Sequence, residues 1–259
     1  FLPTDFGRVS DAMMESATDN SVYTWENNSI YYITNGIWSP LKRVDDGWGF
    51  WDGVRSANLF LENFDPKVLE RFQYNEDYDE MIDKVSKFSL EVRFLRAFYL
   101  FELAKRYGDI PLITRTYTQE EINSVRKTSF ADVIDFIAKE CTEITREGGL
   151  PEDGVRGETG RVTKGAALAL KSRALLYAAS DLHNPAHDLT KWEAAAKAAY
   201  EVIKMNKYQL PNVSTDPLYS DLGGNEVLKS KQLIFERRAI ATTSDFESRN
   251  EPMGYEGAE

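Results

Sequence analysis

The chain has 259 residues, of which 42% are hydrophobic and 28% charged, which is typical of a globular protein with a substantial core. Its net charge is −11, and no stripe of Lys and Arg suited to nucleic acid stands out, so nucleic acid is excluded as an expected partner. A single cysteine, Cys141, excludes an internal disulfide and a thiolate metal cluster.

The first 40 residues contain two predicted segments. Residues 1–17 are predicted to form a short helix with Phe6, Val9, Met13 and Met14 on one side. Residues 19–40, here called the aromatic loop, have no helical period and interleave asparagines with tyrosines and tryptophans. A loop of this length is usually functional or disordered, and its aromatic content argues against disorder.

Helical periodicity dominates the rest of the chain, because apolar residues recur at steps of three and four. Helices are predicted over about 50–64, 82–107, 129–147, 163–180 and 190–207. Gly108 and Pro111 are typical of residues that follow a helix. Capping boxes are predicted at Ser129 and at Thr190 with Glu193. Residues 208–235 are predicted to be a loop with one short extended segment at 233–235.

The helices are expected to pair, 82–107 with 129–147 and 163–180 with 190–207. Trp192, Ala195 and Ala198 form a Trp-x-x-Ala-x-x-Ala pattern, which is typical of tetratricopeptide (TPR) stacking. The predicted fold is therefore all-α, with TPR-like helix pairs in an alpha-alpha superhelix and long irregular loops. Cys141 lies on the apolar face of the helix over 129–147 and is predicted to be a buried thiol.

The aromatic loop carries the strongest chemical signal. Indole and phenol rings offer stiff apolar faces, and amides both donate and accept hydrogen bonds, which suits sugar rings or peptides. The predicted ligand-binding residues are Trp25, Asn27, Asn28, Tyr31 and Trp38. The alternative for the two asparagines is a role in turns. Trp48 and Trp51, which flank the start of a helix, are predicted to pack in the core.

Other chemistries are not expected. His183 and His187 have the spacing of a helical zinc site, but Pro185 between them breaks a helix, so a loop without metal is predicted. Residues 154–161 are glycine-rich but lack the Gly-Lys-Ser/Thr ending of a phosphate loop. No EF-hand spacing and no catalytic motif occurs. A binding protein without cofactor is predicted, and an enzyme is not.

Three stretches resemble one known family. Residues 51–63 resemble its "Ile-x-x-Ala-Asn-x-x-Leu-Glu" helix. Residues 91–112 resemble its run "Glu-Ala-Arg-Phe-Leu-Arg-Ala-Phe-Tyr … Tyr-Gly-Asp-Val-Pro-Leu". Residues 160–178 resemble "Gly-Arg-x-Thr-Lys-Gly-Ala-Ala", and residues 234–236 resemble the motif that follows. In order and spacing, the chain is similar to the SusD/RagB family of outer-membrane nutrient-binding lipoproteins.

The resemblance implies TPR-like helix pairs that support an irregular ligand-binding face, with Arg93 and Arg96 as scaffold. It implies that residues 1–259 are a single N-terminal helical domain, part of a longer protein whose C-terminal portion completes the ligand face. The implied function is the delivery of oligosaccharides to a SusC-type TonB-dependent transporter at the outer-membrane surface, and the alternative is RagB-like peptide uptake. Membrane association is implied through an N-terminal lipid anchor whose cysteine this sequence does not contain.

Overall fold

The computed structural model describes residues 8–9, 12–25, 27–39, 41, 42, 44, 47–153, 160–210, 231 and 233–236. These residues are mainly helical, which confirms the predicted all-α class. The α-helices are α1 Tyr31–Thr34, α2 Phe50–Asn63, α3 Tyr78–Tyr107, α4 Gln119–Ile122, α5 Phe130–Ile144, α6 Lys164–Ala179 and α7 Leu189–Lys204. Two 3₁₀ helices cover Met14–Ala17 and Pro66–Phe72.

The predicted helix over residues 1–17 is wrong where the structure describes this segment, and residues 1–7, 10 and 11 of it lie outside the described residues. The described part of this segment forms strands β1, Arg8–Val9, and β2, Ala12–Met13, which pair antiparallel, and the 3₁₀ helix Met14–Ala17 follows them. A helix must offset the free-energy cost of its first turn, and short helices are marginally stable for this reason.

The five longer helices pack as a chain of neighbours. α2 packs on α3, α3 on α5, α5 on α6 and α6 on α7. Both predicted pairs, α3 with α5 and α6 with α7, are therefore confirmed. α6 lies between two helices, so it buries several of its faces, as its many alanines predict. Among the described residues, no helix combines the length and apolarity that crossing a bilayer requires.

One continuous core joins α2, α3, α5 and α6. Phe94, Leu100 and Phe101 of α3 meet Ile134 and Ile137 of α5, and all five side chains are almost completely buried. Cys141 lies in the same core with no exposed surface, as predicted. Burial raises the pKa of its thiol to about 12, because a low-dielectric surrounding disfavours the thiolate.

The helix ends agree with the sequence in three places and differ in one. Gly108 ends α3 with φ +68°, and the side chains of Ser129 and Thr163 cap α5 and α6. The cap of α7 is Asp188, whose carboxylate accepts hydrogen bonds from Thr190 N and Oγ1 at 2.9 and 2.8 Å. The predicted Thr190–Glu193 box is wrong, since Glu193 pairs with Lys197. Asp, which accepts hydrogen bonds without donating, takes the cap two residues earlier.

The predicted extended segment at 233–235 is also wrong. These residues form bends, and Phe235 packs edge-on against Phe94 with ring centroids 5.3 Å apart. Ile234 and Phe235 pack against the main core, Leu233 is exposed, and no strand lies beside them among the described residues.

Candidate functional site

The aromatic loop is folded around one buried residue. Ile30 has no exposed surface, and Ala17, Tyr23, Tyr31, Ile33 and Val44 pack around it. The Tyr31 hydroxyl donates a hydrogen bond to the Tyr23 carbonyl. Backbone hydrogen bonds from Ile37 N and Trp38 N to Tyr32 O, at 3.0 and 2.8 Å, fix the far end of the loop. This small cluster, separate from the main core, holds the loop in one conformation.

Two of the five predicted site residues present open ring faces. Trp25 is 51% exposed and Trp38 is 58% exposed. Exposing half of an indole leaves apolar area in water, and such exposed aromatic surface is characteristic of interaction sites. Ligand binding by these two residues stays a prediction.

The other three predicted residues also shape the loop. Asn28 Oδ1 accepts a hydrogen bond from Ile30 N at 2.9 Å, and Asn27 has φ +68°. Both are the turn roles that asparagine performs well. The Tyr31 ring packs on Ile30 and its hydroxyl is already bonded. Ligand binding by Asn27, Asn28 and Tyr31 stays a prediction.

A second concave surface lies elsewhere and does not follow from the sequence patterns. It is a groove of about 1020 Å³ between the start of α2, the end of α3 and residues 109–127, here called the connector groove. Its apolar wall contains the following rings and aliphatic side chains: Trp48, Trp51, Tyr107, Ile110, Tyr117 and Ile122. Its polar wall contains Arg55, Asp109, Arg115, Thr116 and Lys127.

The prediction that Trp48 packs in the core is wrong. Trp48 is 59% exposed, whereas Trp51 is partly buried and packs against the core. Trp48 meets Trp51 edge to face at 6.4 Å and Tyr107 at 5.9 Å. Trp48 precedes α2 and is not on the helix face that turns towards α3, so it packs on other rings at the groove edge.

The buried side chains of Asn58 and Arg96 and the exposed side chain of Glu62 hold residues 113–116 in place as one wall of the groove. Asn58 Nδ2 donates to the carbonyls of Ile113 and Arg115 at 3.2 and 3.1 Å. Arg96 Nη1 donates to the Thr114 carbonyl at 3.0 Å. Glu62 accepts from Thr116 N and Oγ1, both at 2.6 Å, and these bonds lower the pKa of the Glu62 carboxyl.

The scaffold role implied for Arg93 and Arg96 agrees with the structure. Arg93 makes a bidentate pair with Glu140, at 3.0 and 2.7 Å, and also reaches Glu143. Arg96 Nη2 contacts the same Glu140 at 3.1 Å. Planar guanidinium groups suit such shared carboxylate pairing. α3 and α5 are thereby joined beneath the groove, and the arginines face inwards.

Arg115 on the polar wall already forms an ion pair with Glu121. Arg115 bonds to both oxygens of Glu121 and stacks over the Tyr117 ring, 3.9 Å from its centroid. The guanidinium lowers the pKa of Glu121 to about 2. Asp109 Oδ1 accepts a hydrogen bond from Phe130 N at 2.8 Å. Arg55 and Lys127 are exposed, and among the described residues neither has an ion-pair or hydrogen-bond partner.

Among the described residues, the two histidines line neither surface. His183 and His187 are in the loop between α6 and α7, as predicted, and the His183 ring stacks on Phe130 at 3.6 Å. Within the described ranges, no group of three His, Cys, Asp or Glu residues is placed to hold a metal. The glycine-rich stretch lies outside the described residues over 154–159.

The sequence does not predict the groove because each of its parts has a local interpretation. Tyr107, Asp109 and Pro111 fit a helix end, and Trp48 fits a core position. The sequence contains one indication of the groove. Trp48 precedes one helix and Trp51 lies in its first turn, whereas Tyr107 ends the next helix. Antiparallel neighbours bring the start of one helix close to the end of the other.

The chain is similar to one family of proteins and to several solved structures. A sequence model of the family SusD-like_3, described as "Starch-binding associating with outer membrane", matches residues 7–176. A SusD-like protein from Bacteroides fragilis is 28% identical with a TM-score of 0.57, over 77% of this chain and 34% of its own. No curated protein sequence matches this chain.

Two further structures carry ligand descriptions. A SusD-like carbohydrate binding protein from Bacteroides fragilis is 25% identical with a TM-score of 0.55, over 76% of this chain and 34% of its own. A laminarin binding SusD-like protein is 26% identical with a TM-score of 0.54, over 71% of this chain and 36% of its own. The chain therefore spans about a third of the length of these structures.

Proposed function

This chain belongs to the SusD-like family, and we propose from that premise that it binds oligosaccharides at the outer-membrane surface and delivers them to a SusC-type TonB-dependent transporter. The family description names starch binding and outer-membrane association. One similar structure binds laminarin, by its description, and another is described as carbohydrate binding.

The observation that carries the proposal is the pair of exposed indoles on an anchored loop. Trp25 and Trp38 keep about half of their surface open, while Ile30 and the hydrogen bonds around it hold the backbone of residues 28–38. A rigid loop loses little conformational entropy when a ligand binds. Indole faces then contact the apolar faces of sugar rings, and nearby amides bond to hydroxyl groups.

The proposed activity is binding without turnover. The family description names binding, and the sequence contains no motif for hydrolysis. We expect a fluorescently labelled polysaccharide to keep its length after prolonged incubation with the protein. A shortened product distribution would contradict this expectation.

We propose that residues 1–259 act as one N-terminal helical domain of the longer protein that the similar structures suggest. In support, one core contains buried side chains from Phe50 to Ala174, and Ile234 and Phe235 pack against it. On this account, residues outside this chain complete the ligand face around the aromatic loop.

The test of the ligand class is a glycan array with a peptide library screened in parallel. The proposal predicts selective oligosaccharide signals and no comparable peptide signal. Peptide binding with silence on glycans would instead support the RagB-like alternative. The transporter is tested separately: affinity-tagged protein expressed with a SusC-type partner is expected to co-purify with it.

The surface location has its own test, because it rests on the family description. Antibody labelling of intact cells that express the natural full-length protein is expected to detect it without permeabilisation. Detection only after the outer membrane is opened would contradict a surface location. A periplasmic protein serves as the control for membrane integrity.

A further inference from the structure

We propose that the connector groove is a second ligand site, which takes a glycan segment bearing carboxylates, such as a run of uronic acids. This inference rests on the proposed function, because it assumes that the chain binds glycans. It adds a ligand class and a location distinct from the aromatic loop.

The shape of the groove fits a short oligosaccharide. Its volume of about 1020 Å³ is at the upper end of what ligand pockets commonly show, and mixed aromatic and polar walls are their usual lining. Trp48 offers an exposed ring held by edge contacts to Trp51 and Tyr107. A ring fixed in this way is already oriented before a sugar stacks on it.

The charge of the groove is opposite to that of the chain. The chain carries 31 basic and 42 acidic residues, whereas the groove lining contains three cations, Arg55, Arg115 and Lys127, and one carboxylate, Asp109. Arg115 pairs with Glu121 and the Asp109 carboxylate accepts a hydrogen bond from Phe130 N, so Arg55 and Lys127 are the groove cations that have no ion-pair partner among the described residues. Guanidinium and ammonium groups without partners favour a ligand that brings carboxylates.

The backbone of the groove wall argues against an extended peptide. A peptide that adds a strand needs free backbone donors and acceptors on its host. In residues 113–116 the backbone acceptors are already used, because Asn58 and Arg96 bind the carbonyls of Ile113, Thr114 and Arg115. Glu62 accepts from Thr116 N, and Arg115 Nη1 donates to Thr116 O at 2.9 Å.

The groove is also held open by its own framework. Asn58, Glu62 and Arg96 tie the 113–116 wall to α2 and α3, and these two helices pack directly on each other. The wall therefore needs no rearrangement when a ligand binds. The ring faces and charged side chains of the groove are the groups that recognise the ligand.

The test is calorimetric titration of the chain with an oligogalacturonate and with its methyl-esterified form of equal length. The esterified form keeps the rings and removes the charges. We expect the acidic oligomer to bind roughly tenfold more tightly or better, with an affinity that falls as salt is raised. Equal binding of the two forms would overturn the proposal.

Variants locate the binding. The double substitution Arg55→Gln/Lys127→Gln is expected to weaken binding of the acidic oligomer by roughly tenfold or more. Lys139→Gln/Arg173→Gln removes the same charges from exposed positions on α5 and α6 and is expected to bind as the parent chain does. Unchanged binding in the groove variant, or preference for a poly-glutamate peptide over the oligogalacturonate, would contradict the assignment.

A further measurement separates this inference from the proposed function. Binding of a neutral oligosaccharide to the groove variant is expected to be unchanged, because Trp25 and Trp38 remain. If neutral glycans bind and the acidic oligomer does not, only the groove assignment fails. If no glycan of either kind binds, the proposed function fails with it.

Discussion

Arg96 of α3 donates a hydrogen bond from Nη1 to Oδ1 of Asn58 in α2 over 2.9 Å, and both side chains are buried. The same two residues hold the carbonyls of residues 113–115. Asn58 lies in the first family-like stretch and Arg96 in the second. Asn58 and Arg96 therefore hold one wall of the connector groove in place without lining the groove themselves.

Asn58→Ala is expected to destabilise the chain strongly. The substitution leaves two carbonyls and one guanidinium donor without a partner in a buried place, which costs about 2–4 kcal/mol in the free energy of unfolding. Urea denaturation followed by circular dichroism measures the loss. Asn63→Ala, on the exposed end of the same helix, is the control and is expected to lose less than about 1 kcal/mol. Equal losses in both variants would contradict the bridging role of Asn58.

The Glu140 carboxylate predicts a loss of stability in acid. Burial acts to raise its pKa, but hydrogen bonds and charges from Arg93 and Arg96 outweigh burial and hold the pKa below 4.5. A lowered pKa in the folded state adds stability that is present above the unfolded value and is lost as pH falls through the folded value. The free energy of unfolding is expected to fall between about pH 5 and pH 3.

The control for this prediction is a pair of isosteric substitutions. Glu140→Gln is expected to cost about 3 kcal/mol at pH 7, because it breaks a largely buried pair, and to flatten the acid limb of the profile. Glu147→Gln changes an exposed residue after α5 and is expected to follow the parent profile. An acid limb of equal depth in Glu140→Gln would show that other carboxylates cause it.

Gly53→Ala is expected to destabilise α2 although alanine is the better helix former. A Cβ at Gly53 would stand 2.6 Å from Cε2 of the buried Tyr99 ring, and such overpacking costs about 1–3 kcal/mol. Gly49→Ala is the matched control, since a Cβ at Gly49 would meet no atom within 4 Å and the φ of this residue is −60°. Thermal unfolding compares the two variants. A more stable Gly53→Ala would show that α2 and α3 are packed less closely here.

Cys141 is expected to be unreactive in the folded protein. Its side chain has no exposed surface, and burial raises the thiol pKa to about 12. A reagent therefore cannot reach the sulfur, and the thiol stays protonated at neutral pH. A thiol reagent such as Ellman's reagent is expected to react only after denaturant is added, with the rate following unfolding. Rapid reaction of the native protein would contradict the core position.

Local periodicity predicts most of the fold. The apolar steps of α3, α5 and α6 reflect burial along one helix, and caps at Ser129, Thr163 and Gly108 are local chemistry. The β1–β2 hairpin and the Asp188 cap are not predicted, because in each place the local sequence is compatible with two structures. A short apolar pattern fits a helix or a hairpin, and either Asp188 or Thr190 can cap α7.

The site is less predictable than the fold. The exposed aromatic character of the loop follows from composition, and Trp25 and Trp38 are exposed. The connector groove depends on contacts between distant residues, such as Trp48 with Tyr107 and Asn58 with Arg115. A single sequence shows which side chains are present but not which of them come into contact. These contacts form only when α2 packs on α3.

The most direct test of the central claim is calorimetric titration of the strongest glycan from the array into the parent chain and three tryptophan variants. Trp25→Ala and Trp38→Ala are each expected to weaken binding by roughly tenfold or more, because each removes an exposed stacking face. Trp192→Ala removes an indole that is 41% exposed on the remote helix α7 and is expected to leave binding unchanged. Unchanged affinity in both loop variants, or an equal loss in Trp192→Ala, would contradict glycan binding by the aromatic loop.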